Sequence, residues 1–207
     1  IMPNAFTRDT ALVLSVGYGS YAKDWAASRG IAYTEREPAV VASGVCGENL
    51  TWSLTGDGVL TLDGTGPMAT YYGQANIPWH ANRALITTVN VGAGVTKLTT
   101  NAFCGCTNLE TVNFAENSQL QMLGGSAFKG CTSLKSITLP EGLTAISGNA
   151  FKYCRALRNA YLPDTMSVID NLAFTGLSGI TFSVAKDSYA KNWVAAHGFA
   201  YVERENG

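Results

Sequence analysis

The sequence predicts a β-rich solenoid, a stack of short strand-and-turn repeats, and three observations carry that prediction. The pair Ala-Phe recurs at Ala5-Phe6, Ala102-Phe103, Ala127-Phe128, Ala150-Phe151 and Ala173-Phe174, and the last four phenylalanines lie 25, 23 and 23 residues apart. An aliphatic residue stands five positions before each phenylalanine (Ile1, Leu98, Leu123, Ile146, Ile169), and a cysteine three positions after the middle ones (Cys106, Cys131, Cys154). An apolar triplet then follows: Leu109/Val112/Phe114, Leu134/Ile137/Leu139, Leu157/Ala160/Leu162 and a shortened Leu177/Ile180/Phe182, with Ile86/Val89/Val91 opening the series.

The last two members of each triplet sit two residues apart, so both face one side of a strand. The Ala-Phe-x-x-Cys stretch is expected to turn the chain and wedge its phenylalanine inside the coil. One repeat cannot bury its own apolar face, whereas stacked neighbours form a continuous core. Pro140 and Pro163 lack the N–H that a ladder needs, which ends the strands before them. A period of roughly 20–29 residues with such strands is the leucine-rich-repeat signature. The pattern I-x-x-x-A-F-x-x-C-x-x-L-x-x-V-x-L-P, over residues 86–184, resembles the BspA-type leucine-rich repeat; only the short last copy lacks the cysteine. The resemblance implies a non-catalytic binding protein at the surface of gut or oral bacteria, or of some protists, with host or bacterial surface partners.

The segments outside the array read as its ends. Residues 1–37 align without a gap on 169–205, and eighteen of the 37 positions are identical, among them Ser20/Ser188, Tyr21/Tyr189, Trp25/Trp193, Gly30/Gly198 and Glu35-Arg36-Glu37/Glu203-Arg204-Glu205. Each copy is expected to hold half a repeat, a strand around Leu12–Val16 or its counterpart, a short helix and a final strand. Ser20 and Ser188 suit helix N-caps, and Gly30 and Gly198 suit the position past a helix end. Residues 185–207 are thus expected to cap the array, since a solenoid needs a polar end. Residues 1–37 are expected to be the terminal half-repeat and cap of a preceding array. The open strand edge of that segment would pack on residues 44–79 or on another molecule.

Between the copies, 38–43 read as a linker and 44–85 as a flank. In the flank, Leu50/Trp52/Leu54 and Leu60/Leu62 alternate around Thr55-Gly-Asp-Gly58, which predicts a β-hairpin. Gly64-Thr-Gly66-Pro67 is expected to break its second strand. The set Cys46-Gly47, Trp52, Asp57-Gly58, Gly64, Gly66, Met68 and Pro78-Trp79 resembles the flank that often precedes BspA-type arrays, where it would cover the first coil.

Composition narrows the functional classes. Lys and Arg number 14 against 15 Asp and Glu, so nothing points to a polyanion such as nucleic acid. No run approaches the ~18 apolar residues of a membrane helix. Cys106, Cys131 and Cys154 share a repeat position and are expected to stack as buried thiols, although coils ~4.8 Å apart leave a disulfide sterically open. Cys104-Gly-Cys106 is too short for a zinc pair. His197 precedes Gly198 at a helix end, where the dipole suits a cation, and His80 lies in a loop. No nucleophile motif accompanies either histidine. The reading is therefore no enzyme, no cofactor and no metal.

What remains is surface. The residue between the last two inward apolars must point outward, which gives a column Asn90, Asn113, Thr138, Tyr161, Thr181. Two residues earlier lies a second column, with Thr111, Ser136 and Asn159. These eight residues are the candidate face for a protein partner, with Tyr161 as its one aromatic. A structural spacer and a glycan-binding module are the competing readings.

Overall fold

The computed structural model describes residues 13–17 and 21–205, in two compact units, Ile1–Ala39 and Val40–Gly207. The expectations for Ile1, Ala5-Phe6, Leu12 and the Ser20 cap lie outside the described residues. In the first unit, strand β1 (Leu14–Gly17) pairs in parallel with β2 (Tyr33–Arg36) across helix α1 (Tyr21–Ala27). Among the described residues of this unit Val16, Trp25 and Ala26 are buried, and Gly30 ends the helix turn at φ 64°.

The second unit opens on three antiparallel strands, β3 (Val40–Val45), β4 (Asn49–Thr55) and β5 (Val59–Pro67). The predicted hairpin is β4–β5, and its alternation buries Leu50, Trp52, Leu54, Leu60 and Leu62 on one face. Two expectations are corrected here. Residues 40–43 are not a linker: they begin β3, which pairs with β4 through backbone groups and so needs no apolar alternation to be a strand. Gly64 and Gly66 do not break β5, because at φ 107° and 95° they bend it instead. A Cβ at Gly64 would lie 2.0 Å from the Asn49 carbonyl oxygen, so only glycine permits this passage.

The bend lets β5 start two parallel ladders. Its first half pairs with β6 (Thr88–Val91), and β6 pairs with β8 (Thr111–Phe114). Its second half pairs with β7 (Val95–Leu98), followed by β9 (Met122–Leu123), β11 (Ala145–Ile146) and β13 (Val168–Ile169). The first ladder resumes with β10 (Ser136–Thr138), β12 (Asn159–Tyr161), β14 (Thr181–Ala185) and β15 (Ala200–Arg204), all parallel. Each coil gives one strand to each ladder, and the Ala-Phe turns return the chain between them.

The phenylalanines form the predicted column. Phe103, Phe128, Phe151 and Phe174 are at most 1% exposed, and successive ring centroids lie 5.4, 5.4 and 5.0 Å apart with planes within 18°. Trp79 extends the column, stacked 5.4 Å from Phe103, and Trp52 packs edge-on against Trp79 at 5.5 Å. At the other end, Phe182 meets Phe174 edge-on at 4.9 Å and Trp193 lies 5.9 Å from it. Trp193 comes from helix α2 (Tyr189–Ala196), whose Ser188 side chain accepts the Lys191 N–H at 3.1 Å as an N-cap. Gly198 follows the helix at φ 73°. His197 stacks on Trp193 with 4.0 Å between centroids, and its ring nitrogens meet the Trp193 carbonyl and the Asn171 side chain.

The cysteines also align by coil. The described cysteines are free thiols; Cys106, Cys131 and Cys154 are buried and Cys104 is half-buried. The Cys131 thiol reaches back to the Phe103 carbonyl at 3.2 Å, and Cys154 to that of Phe128 at 3.0 Å. Burial pushes Cys106 from 9.0 up to about 12 and Cys46 up to about 11, and raises Cys131 as well. A thiol held protonated in the fold contributes stability that is full below pH 9.0 and is lost as pH rises toward 11 and 12. Urea midpoints should therefore stay level to pH 8 and fall above 9, and the fall should be shallower in Cys106→Ala. An unchanged alkaline slope in that variant would assign the loss to other groups.

Candidate functional site

The candidate face is the outward side of β6, β8, β10, β12 and β14. On these strands the inward positions carry the core, so register alone decides which side chains meet solvent. Thr111, Asn113, Ser136, Thr138 and Asn159 are exposed, whereas Asn90, Tyr161 and Thr181 are half-buried. Asn113 lies directly opposite Asn90, and its amide donates to the Asn90 side-chain oxygen at 2.9 Å. Ser136 faces Asn159, and Thr138 faces Tyr161.

The structure corrects the last step of the column. Tyr161 faces Ser183, while Thr181 lies opposite Asn159 and continues the other column. Phe182 and Val184, rather than Ile180 and Phe182, take the core positions of Ala160 and Leu162. Eight residues separate Phe174 from Phe182, against nine from Phe151 to Ala160, so one residue is lost in this turn. Leu177, which set the expected register, is only half-buried there.

Tyr161 is also less free than an open strand residue. Its hydroxyl donates to Glu141 at 2.6 Å, and the Arg204 guanidinium lies 3.9 Å from its ring centroid. Arg204 also donates to the Leu162 carbonyl at 2.7 Å and pairs with the Asp164 carboxylate. The ring is thus clamped between two coils and the final strand. Burial, followed by the hydrogen bond to Glu141, raises its pKa. The clamp joins residues about forty positions apart, and no local sequence pattern marks it.

A concavity lies where the first ladder is interrupted. Among the described residues β8 pairs with β6 and β10 with β12, but no pairing joins β8 to β10. A groove of about 670 Å³ occupies this break, lined by Glu110–Ser118 and by Ser136, Ile137, Thr138, Pro140 and Glu141. Its walls hold Thr111, Asn113, Ser136 and Thr138, half of the predicted face. Glu110, Glu116 and Glu141 give the lining three carboxylates, and it contains no Lys or Arg. The break falls beside one lengthened connection. Eleven residues run from Val112 to Leu123, but nine from Val89 to Leu98, Ile137 to Ile146 and Ala160 to Ile169. The signal was present as the 25-residue spacing between Phe103 and Phe128. A smaller hollow of about 200 Å³ lies over Ala160, between Thr138, Tyr161 and Ser183.

Among the described residues no group of three or more His, Cys, Asp or Glu is arranged to hold a metal ion, and no helix is long and apolar enough to cross a membrane.

Parallel strands repeating around an aromatic column define a leucine-rich-repeat protein. Residues 80–191 match the BspA type leucine rich repeat region in six copies, and the chain belongs to that family. No curated protein sequence matches it. Among solved structures it is similar to a leucine-rich repeat protein from Eubacterium ventriosum, with 27% identity over 62% of this chain and 40% of the other, at a TM-score of 0.49. It is likewise similar to a leucine-rich repeat protein from Bacteroides ovatus, with 24% identity over 59% of this chain and 31% of the other, at a TM-score of 0.50. The second likeness is one of fold. The chain spans less than half the length of either neighbour.

Proposed function

We propose that the chain is a non-catalytic cell-surface module whose solenoid holds a protein partner against its strand face. The family supports a surface role, and the observation that carries the site is the groove between β8 and β10. Uninterrupted parallel ladders satisfy their own backbone groups and present a smooth surface. Here the ladder opens, leaving a concavity walled by the exposed polar residues Thr111, Asn113, Ser136 and Thr138. These side chains are bound by register and not by packing, so they are free to serve recognition. Glycan stacking is less well supported, because the Tyr161 ring already carries Arg204 on its face.

The test begins with a partner identified on an array of extracellular and surface proteins. The doubly substituted Asn113→Arg/Thr138→Arg chain fills the groove from both walls and offsets two of its three carboxylates. Affinity should fall at least ~30-fold, consistent with an interface hot spot of about 2 kcal/mol, while stability changes by about 0.5 kcal/mol or less. Unchanged affinity would place the contact off this face and favour the spacer reading.

A further inference from the structure

We infer that β1, α1 and β2 form a second cap, whose open edge fits the end coil of a BspA-type array other than the chain's own. The chain itself shows what such a unit covers. β1 pairs with β2 as β14 pairs with β15, residue for residue: Leu14 faces Tyr33 where Phe182 faces Tyr201, and Gly17 faces Arg36 where Ala185 faces Arg204. Lys23 reaches Glu35 at 2.9 Å where Lys191 reaches Glu203 at 3.1 Å. Trp25 and Ala26 are buried where Trp193 and Val194 are buried. The two units share one architecture, so their surfaces answer the same need.

Two features of the C-terminal copy contact the preceding coil, and among the described residues neither has such a contact in the first unit. β14 uses its second edge to pair with β12, whereas β1, among the described residues, pairs only with β2. Arg204 clamps the coil through the Leu162 carbonyl, the Asp164 carboxylate and the Tyr161 ring. Arg36, its counterpart, is exposed and has no hydrogen bond or ion pair among the described residues. An unpaired parallel edge invites a strand, and a guanidinium matched to a carboxylate fixes which strand. The occupant is therefore a coil whose strand ends in a carbonyl and a carboxylate placed like those of Tyr161-Leu162-Pro163-Asp164. The chain's own coil of this kind is already covered by α2 and β15.

A graft tests this in the full chain. Residues 181–205 are replaced by 13–37, which puts Arg36 where Arg204 stood. A working cap should keep one cooperative urea transition and the parent's mass by light scattering. Replacing the arginine at that position with alanine should lower the midpoint by about 0.5–1 M in parent and graft alike. A chain ending at Ala185 supplies the uncapped reference and should aggregate or lose cooperativity. A graft that behaves like this reference, associates through its edge, or ignores the arginine substitution overturns the inference.

Discussion

Phe128→Ala is expected to destabilise the protein by about 3–5 kcal/mol, the range for emptying a large buried aromatic site. Phe128 is 0% exposed and stacks on Phe103 and Phe151, each 5.4 Å away. Its neighbours above and below are held by their own coils and cannot close the gap. Ring stacking adds about 0.5–1.5 kcal/mol beyond area burial. Its backbone also takes part, since the Phe128 carbonyl accepts the Cys154 thiol. Denaturant unfolding checks the figure. A loss under about 1 kcal/mol would mean that the column is not the element holding the coils in register.

Trp79→Ala should cost about 3–5 kcal/mol by the same mechanism, and it should act at the start of the array. Trp79 is 1% exposed, stacks on Phe103 and carries Trp52 on its edge. Its indole N–H donates to the Ala102 carbonyl at 2.7 Å. Trp79→Phe keeps a ring but leaves that buried carbonyl unpaired, and should cost about 1–3 kcal/mol. The difference separates packing from hydrogen bonding. Equal losses in the two variants would show that the indole N–H carries the whole effect.

The core was legible because its signal is periodic. A phenylalanine every 23–25 residues has one economical use, a column inside stacked coils, and the rings stand in that column. The β4–β5 hairpin was legible for the same reason, as a clean alternation around a glycine turn. Trp79 was visible as part of a flank motif, but its place on the column was not, because it precedes the first Ala-Phe pair. β3 escaped notice because an edge strand held by backbone pairing leaves no side-chain pattern, and Val40, Val41 and Val45 are all exposed. Gly64 and Gly66 suggest a stop in the sequence, which does not distinguish a bend from a break. Thr181 falls in the other column because the last turn is one residue shorter, which the position of Leu177 in the sequence conceals. The outward face followed from register, as the pairs Asn90/Asn113, Ser136/Asn159 and Thr138/Tyr161 illustrate, but its interruption depended on two extra residues whose effect is three-dimensional. The Arg204 clamp on Tyr161 is a long-range polar contact, and such contacts leave no period.

We propose that a partner engages the strand face where it opens between β8 and β10. Hydrogen–deuterium exchange tests it directly, in the free chain and with partner bound. The free chain should exchange faster over 110–118 and 134–141 than over 157–162, where β12 is paired on both sides. Partner should then slow the two groove segments and leave 157–162 unchanged. Equal protection of the three segments in the free chain, or partner-induced protection confined to regions outside the groove, would contradict the account.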